Sequence, residues 1–172
     1  MRRVTSRIFA AAAPLALMGC VAATQTGGAT AQVVGPVTIS VGPCFGFCPV
    51  YKVTVSPDGT INFVGERHTA VLGARRRNGG AATYRGLIAE LSTFRPAAGT
   101  KVQIACDAVV SDTPGYTITW NDPDVRETIA THQGGCSGGA GQQLDTVLRK
   151  LPDRLGIAAW MQQVRRPGVS RG

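Results

Sequence analysis

The sequence predicts a single α+β domain in which two to three helices pack on one face of a mostly antiparallel sheet. Three observations lead to this prediction. Stretches of alternating apolar and polar residues are separated by Asp-Gly and proline turns, as in hairpins. Each half of the chain ends in a segment with apolar residues at helical spacing. With 172 residues, 44% hydrophobic and only 16% charged, the chain has the composition of a protein that folds around a core.

The first half of the chain predicts strands followed by a helix. Its predicted strands are residues 37–41, 51–55, 61–63 and 69–74, the first three with alternating apolar residues. The Asp58-Gly59 turn joins the second and third of them as a hairpin. A helix ended by Pro96 is indicated by an apolar face at i, i+3, i+4, i+7 and i+10. That face consists of Tyr84, Leu87, Ile88, Leu91 and Phe94.

The second half repeats this order of elements. Its predicted strands are residues 102–106, 116–120 and 125–131. Residues 134–141 form a glycine-rich loop, which we expect to supply positive φ angles before a second helix. The apolar face of that helix consists of Leu144, Val147, Leu148 and Leu151. Pro152 is expected to end or kink it, and residues 157–164 predict one further short helical turn.

The N-terminus has the pattern of a bacterial lipoprotein signal. Basic residues precede an apolar stretch at 8–18, which is too short to span a membrane as a helix. The stretch ends in Leu17-Met18-Gly19-Cys20, which resembles the lipobox whose cysteine is lipidated after cleavage. An ordinary signal peptide with a chance cysteine is the alternative. Val21 follows the cysteine, and by the same resemblance this favours the outer membrane over the inner one.

These features predict four segments and a location. The segments are a signal peptide at 1–19, the lipidated Cys20 with a flexible tether at 20–36, one α+β domain at 37–164, and a basic disordered tail at 165–172. The protein is therefore expected to be exported and anchored to a membrane by its lipid, facing the periplasm.

The distribution of charge argues against a nucleic-acid partner. The formal net charge is +8, but residues 37–164 hold 12 basic and 10 acidic side chains, which leaves only +2. Phosphate binding needs a clustered basic face. The internal cluster Arg75-Arg76-Arg77 is interpreted as solvated surface, because three consecutive residues on a strand point to alternate faces.

Four cysteines remain after Cys20, which in an exported domain favours two disulfides. Three pairings are possible, and closeness in sequence favours Cys44 with Cys48 and Cys106 with Cys136. Cys44, Cys48, Cys136 and His132 also have the ligand types of a zinc site, although an oxidising compartment favours disulfides. A redox role for the Cys44 to Cys48 loop is a further alternative, although its spacing is one residue longer than the Cys-x-x-Cys of redox proteins.

The segment around the first two cysteines resembles a known family. It reads Pro43-Cys44-Phe45-Gly46-Phe47-Cys48-Pro49-Val50-Tyr51 and is followed by Pro57-Asp58-Gly59-Thr60. It resembles the exported bacterial domain of unknown function numbered 6438, with the pattern Cys-x-Gly-x-Cys-Pro-x-Tyr before a strand. The resemblance extends over residues 37–161. It implies no activity, cofactor or catalytic residue, and the Cys106 and Cys136 pair departs from the usual pattern.

The sequence therefore favours a non-enzymatic binding or structural module of the cell envelope. No catalytic set, metal site or cofactor motif is predicted. The expected partners are the membrane, through the lipid, and an envelope protein or the cell-wall polymer. Phe45, Phe47 and Tyr51 are the candidate partner-binding residues. The two phenylalanines either cap the edge of the core, which is the interpretation we favour, or form an exposed apolar knob.

Overall fold

The alternating segments form a seven-stranded sheet. The computed structural model describes residues 35–123, 125–166 and 168. The strands of the sheet are β1 (Val37–Val41), β2 (Val50–Val55), β3 (Thr60–Arg67), β4 (Gly73–Asn78), β5 (Lys101–Gln103), β7 (Gly115–Trp120) and β8 (Thr128–Gln133). Their order is β4-β3-β2-β1-β7-β8-β5, and every pair is antiparallel except β5 with β8. The short strands β6 (Ala108–Val109) and β9 (Cys136–Ser137) pair separately.

Both longer helices lie on one face of this sheet. They are α1 (Ala81–Leu91), which continues as a 3-10 turn at Ser92–Phe94, and α2 (Gly139–Leu155). Their apolar residues pack with the inward residues of the strands in one hydrophobic core. A short helix α3 (Ala158–Met161) follows and adds Trp160 to the edge of that core. The predicted α+β class, with a mostly antiparallel sheet and helices on one face, is confirmed.

Alternation along the strands separates the two faces of the sheet. In β1, Val37, Ile39 and Val41 are buried, whereas Thr38 and Ser40 are partly exposed. An antiparallel sheet commonly buries one face and leaves the other in contact with water. The core therefore lies between sheet and helices, and the opposite face, which we call the open face, is polar.

The fourth strand begins later than predicted. The sequence indicated residues 69–74, but β4 runs from Gly73–Asn78 and includes all three consecutive arginines. It is an edge strand with every residue exposed, and charged residues on an edge strand protect it from pairing with another chain. The prediction missed this because hydrophobic alternation marks only strands that bury a face.

The second half also differs from the prediction in its boundaries. The return strand was expected at 125–131 and is found at Thr128–Gln133, while β5 ends at Gln103. Pro152 neither ends α2 nor prevents it from reaching Leu155. The helix ends instead at Gly156, whose φ of 61° gives the left-handed cap. Burial of Leu151 and Leu155 offsets the hydrogen bond that proline cannot donate.

The assignment of the two faces can be tested within β1. Replacing the fully buried Ile39 with Ala should lower the free energy of unfolding by about 2 to 5 kcal/mol, because the truncation leaves a cavity in the core. Ser40→Ala, the neighbouring change on the open face, should cost no more than about 0.5 kcal/mol. Urea denaturation of both variants measures the difference. A larger loss for Ser40→Ala would show that the faces are assigned the wrong way round.

Candidate functional site

The loop between β1 and β2 is closed by the Cys44–Cys48 disulfide. Within it the backbone N–H of Gly46 donates to the carbonyl of Cys44 at 2.9 Å, which makes a tight turn. The turn directs the two phenylalanines differently. Phe45 is 73% exposed, whereas Phe47 is partly buried. The expectation that both cap the core is therefore wrong for Phe45, which forms an exposed apolar knob.

Phe47 packs in a cluster at the same end of the sheet. Its ring lies edge-on to the buried His68 at 5.2 Å, and the guanidinium of Arg165 lies over it at 5.1 Å. The chain after α3 crosses this region, since the backbone N–H of Val164 donates to the His68 carbonyl at 2.8 Å. Arg166 also donates to the carbonyl of Thr69. Loop and C-terminal segment thus cover the end of the sheet together.

Tyr51 is part of the core and does not present a surface to a partner. It is 4% exposed, and its ring packs against Phe63 at 5.4 Å. Burial, with a smaller contribution from the nearby Tyr116, raises the pKa of Tyr51 far above its ordinary value. Its phenol therefore stays neutral and serves packing. Of the three candidate partner-binding residues, only Phe45 has a mostly exposed side chain.

The Cys106–Cys136 disulfide joins the β5 region to the start of α2. It packs directly on the helix backbone at Gly141, where an added Cβ would lie 2.2 Å from Sγ of Cys136. Positive φ angles at Gly135, Gly138 and Gly139 shape the preceding loop, as predicted. The favoured pairing of the four cysteines is confirmed. With both pairs bonded, none of these four cysteines carries a thiolate that could bind zinc.

The helix start in this loop is already occupied by a carboxylate. Asp107 lies against Gly138 and Gly139, where an added Cβ would come within 2.0 Å and 3.3 Å of its carboxylate oxygens. A negative charge at this position is favourable because the helix dipole is positive there. This glycine-rich loop therefore accommodates a side chain of the protein rather than a phosphate.

A buried carboxylate that the sequence analysis missed lies beside the bridge. Oδ1 of Asp145 is 2.7 Å from Nε2 of His132, and Oδ2 accepts the backbone N–H of Cys136 at 2.8 Å. The ring of Tyr116 stacks on His132 with 6.2 Å between centroids. The side chain of His132 is completely buried, so a substrate cannot reach it. Among the described residues, no group of three or more His, Cys, Asp or Glu could hold a metal ion.

The open face carries a shallow trough of about 720 Å³. Strand registers place five polar residues side by side across it, because Gln103 pairs with Thr131, Thr131 with Thr117, Thr117 with Ser40 and Ser40 with Lys52. We call this set the polar row; its members are Gln103, Thr131, Thr117, Ser40 and Lys52. Glu66 lies beside its Lys52 end in the same trough. In the sequence, Thr117 and Thr119 alternate with apolar residues and so mark the polar side of β7, but no local pattern links Thr117 to the other members of the row.

A comparison of the sequence with known protein families gives a match. The profile described as "Domain of unknown function (DUF6438)" matches residues 36–155. The chain belongs to the DUF6438 family. The match includes the disulfide loop, the polar row and Asp145. No curated protein and no solved structure matches the chain.

Several predictions about membrane attachment concern residues that the structure does not describe. The signal peptide, Cys20 and residues 21–34 of the tether lie outside the described residues. Within the described residues, no helix is long and apolar enough to cross a membrane. Arg165 and Arg166 belong to the predicted tail, yet they contact the cluster around Phe47 and His68.

The two disulfides should differ in their contribution to stability. Replacing Cys106 and Cys136 with Ser should cost about 3 to 4 kcal/mol, because their bond closes a loop with a sequence separation of 30. The same double change at Cys44 and Cys48, separated by 4, should cost about 2 kcal/mol. Thermal or chemical unfolding of both double variants gives the comparison. An equal or reversed order would contradict a stabilisation that depends on loop length.

Proposed function

We propose that the protein is a non-enzymatic, lipid-anchored module of the cell envelope that binds the cell-wall polymer through the trough of its open face. The polar row is the observation that carries this proposal. The proposal has a second part: the protein is attached to the outer membrane through a lipid on Cys20 and faces the periplasm. That part is supported by the lipobox pattern of residues 17–20.

The polar row has the shape of a site for an extended ligand. It crosses five strands, and four strand spacings of about 4.8 Å correspond to about 19 Å. The trough is shallow and continuous rather than an enclosed pocket, which suits a chain better than a small molecule. An extended ligand could therefore contact every member of the row at once.

The chemistry of the row favours a polymer rich in hydroxyl and amide groups. Three of its members carry hydroxyls and one carries an amide, so the row offers both donors and acceptors. Lys52 and Glu66 place opposite charges at one end, which leaves the trough without a strong net charge. A polyanion such as nucleic acid would gain little there, whereas a glycan cross-linked by peptides has matching groups.

The rigidity of the row also supports binding. Its side chains are short, apart from those at the two ends. All but Gln103, which is on the edge strand β5, stand on strands paired on both sides. Binding a ligand then restricts few rotatable bonds of the protein. Catalysis has no comparable support, because the side chain of His132 is buried with its Nε2 paired to Asp145.

Substitutions in the trough test the proposal. The double variant Thr117→Val and Thr131→Val removes two hydroxyls while keeping β-branched side chains, so it should fold normally. We expect it to lose roughly tenfold or more in affinity, since each hydrogen bond contributes about 0.5 to 1.5 kcal/mol. Co-sedimentation with purified, insoluble cell-wall polymer measures the binding.

The matched control is Thr119→Val, two residues along the same strand and outside the trough. It should bind as the unaltered protein does. Equal retention of all variants on the polymer, or capture of an envelope protein that is insensitive to the double variant, would contradict a polymer site in the trough.

Attachment through Cys20 has its own test. Cys20→Ser should move the protein from the membrane to the soluble fraction without changing its melting temperature, because the core is formed by residues after Pro36. Fractionation in high salt separates lipid anchoring from ionic adsorption. Unchanged sedimentation with membranes would show that a lipid on Cys20 is not the main anchor.

A further inference from the structure

We infer that the end of the sheet formed by the disulfide loop, the turn before β4 and the C-terminal segment is a docking surface for an anionic lipid bilayer. We call this surface the loop end; it consists of residues 43–49, 68–72 and 163–166. It shares only Pro43 with the lining of the trough and goes beyond the proposed polymer binding. It also requires contact between the folded domain and lipid, which an anchor on Cys20 alone does not provide.

Two large apolar side chains project from the loop end. Phe45 is 73% exposed and Leu72 is 51% exposed, each in a connection between strands. The two connections are adjacent, because Phe47 of the first packs against His68 of the second at 5.2 Å. Single exposed apolar residues are common on protein surfaces, but two on neighbouring connections can insert into a bilayer interface together.

The disulfide holds the first of these side chains outward. The Cys44–Cys48 bond closes a ring of five residues, and the turn at Gly46 separates Phe45 from Phe47. Phe47 anchors the ring to His68 while Phe45 faces solvent. Presenting a rigid aromatic group reduces the entropy lost when it is buried by a partner.

Two cationic side chains contact the same two connections. Arg165 lies over the ring of Phe47, and Arg166 donates to the carbonyls of Thr69 and Ala70. None of the three segments of the loop end contains a carboxylate side chain. Arginines beside exposed apolar groups complement phosphate headgroups above acyl chains, because the guanidinium stays at the polar layer while its stem contacts apolar atoms.

The positive charges of the loop end favour an anionic lipid surface over a protein partner. Arg165 and Arg166 contact an aromatic ring and backbone carbonyls, and neither belongs to an ion pair among the described residues, so their charges can attract phosphate groups. The experiment must therefore distinguish a lipid bilayer from a protein partner at this surface.

Photo-crosslinking from the loop end tests the inference. The full chain carrying Cys20→Ser, so that no lipid is attached there, receives p-benzoylphenylalanine at position 45 or 72. It is mixed with vesicles of phosphatidylcholine with or without roughly 30% phosphatidylglycerol. We expect lipid adducts at both positions in anionic vesicles, several-fold above the yield from position 110. Val110 is a suitable control because it is 62% exposed and lies outside the loop end.

Charge variants provide the second arm. R165Q should lower the adduct yield from position 45 by roughly fivefold in anionic vesicles, and Arg165→Lys should restore most of it. R126Q, a change of an exposed arginine elsewhere, should have no effect. The melting temperature of each variant shows that it is folded. Equal yields at positions 45, 72 and 110, or no dependence on phosphatidylglycerol, would overturn the inference.

The same crosslinker in the cell envelope separates lipid from protein. Lipid adducts at position 45 in cells producing the full, lipidated chain would support docking on the bilayer. A dominant protein adduct at position 45 would overturn it and assign the loop end to a protein partner. Both results are independent of the trough, because Thr117→Val and Thr131→Val leave the loop end unchanged.

Discussion

The carboxylate of Asp145 is the interaction on which the second half of the fold depends. It leaves water almost completely, which would cost several kcal/mol without partners. Its two oxygens contact the ring of His132 on β8 and the backbone N–H of Cys136 in the glycine-rich loop. One side chain of α2 therefore fixes the helix against the sheet and against the loop at the same time. A purely apolar contact would allow the helix to slide, because apolar packing is not directional.

The fixed position of α2 determines what the other side of the sheet can do. The disulfide lies on the helix at Gly141, so this bond ties the loop and the segment after β5 together beside the helix. Because α1 and α2 both cover the inner face, the polar residues that alternate with the buried ones along each strand face the solvent. Hydroxyl side chains therefore line the open face because the apolar residues that alternate with them along each strand are buried on the inner face. The core supplies the rigidity, and the open face supplies groups that are aligned before any ligand arrives.

The sequence predicts the elements of this fold better than their arrangement. Alternation and turn residues identify the hairpin around Asp58 and Gly59, and helical spacing identifies both helices, because these signals are local. The central position of β1 is not local: Val37 pairs with both Val55 and Trp120, and nothing within its own segment specifies the second partner. The parallel pairing of β5 has no sequence signal for the same reason. The role of Asp145 could not be predicted from the helical pattern of α2. That pattern gives no reason for a buried aspartate until its partners on β8 and in the loop are known.

The two surfaces are also related by the topology of the sheet. The loop end includes the connection from β1 to β2, and Gly42 and Pro43 of that connection border the trough. Lys52 and Glu66 lie toward this side of the polar row, whereas Gln103 belongs to the far edge strand. A domain docked through the loop end would therefore hold its trough beside the bilayer, with the row running across the strands and along the membrane plane. A polymer layer parallel to a membrane would meet the row lengthwise, so the lipid surface and the polymer surface impose compatible orientations on one rigid domain.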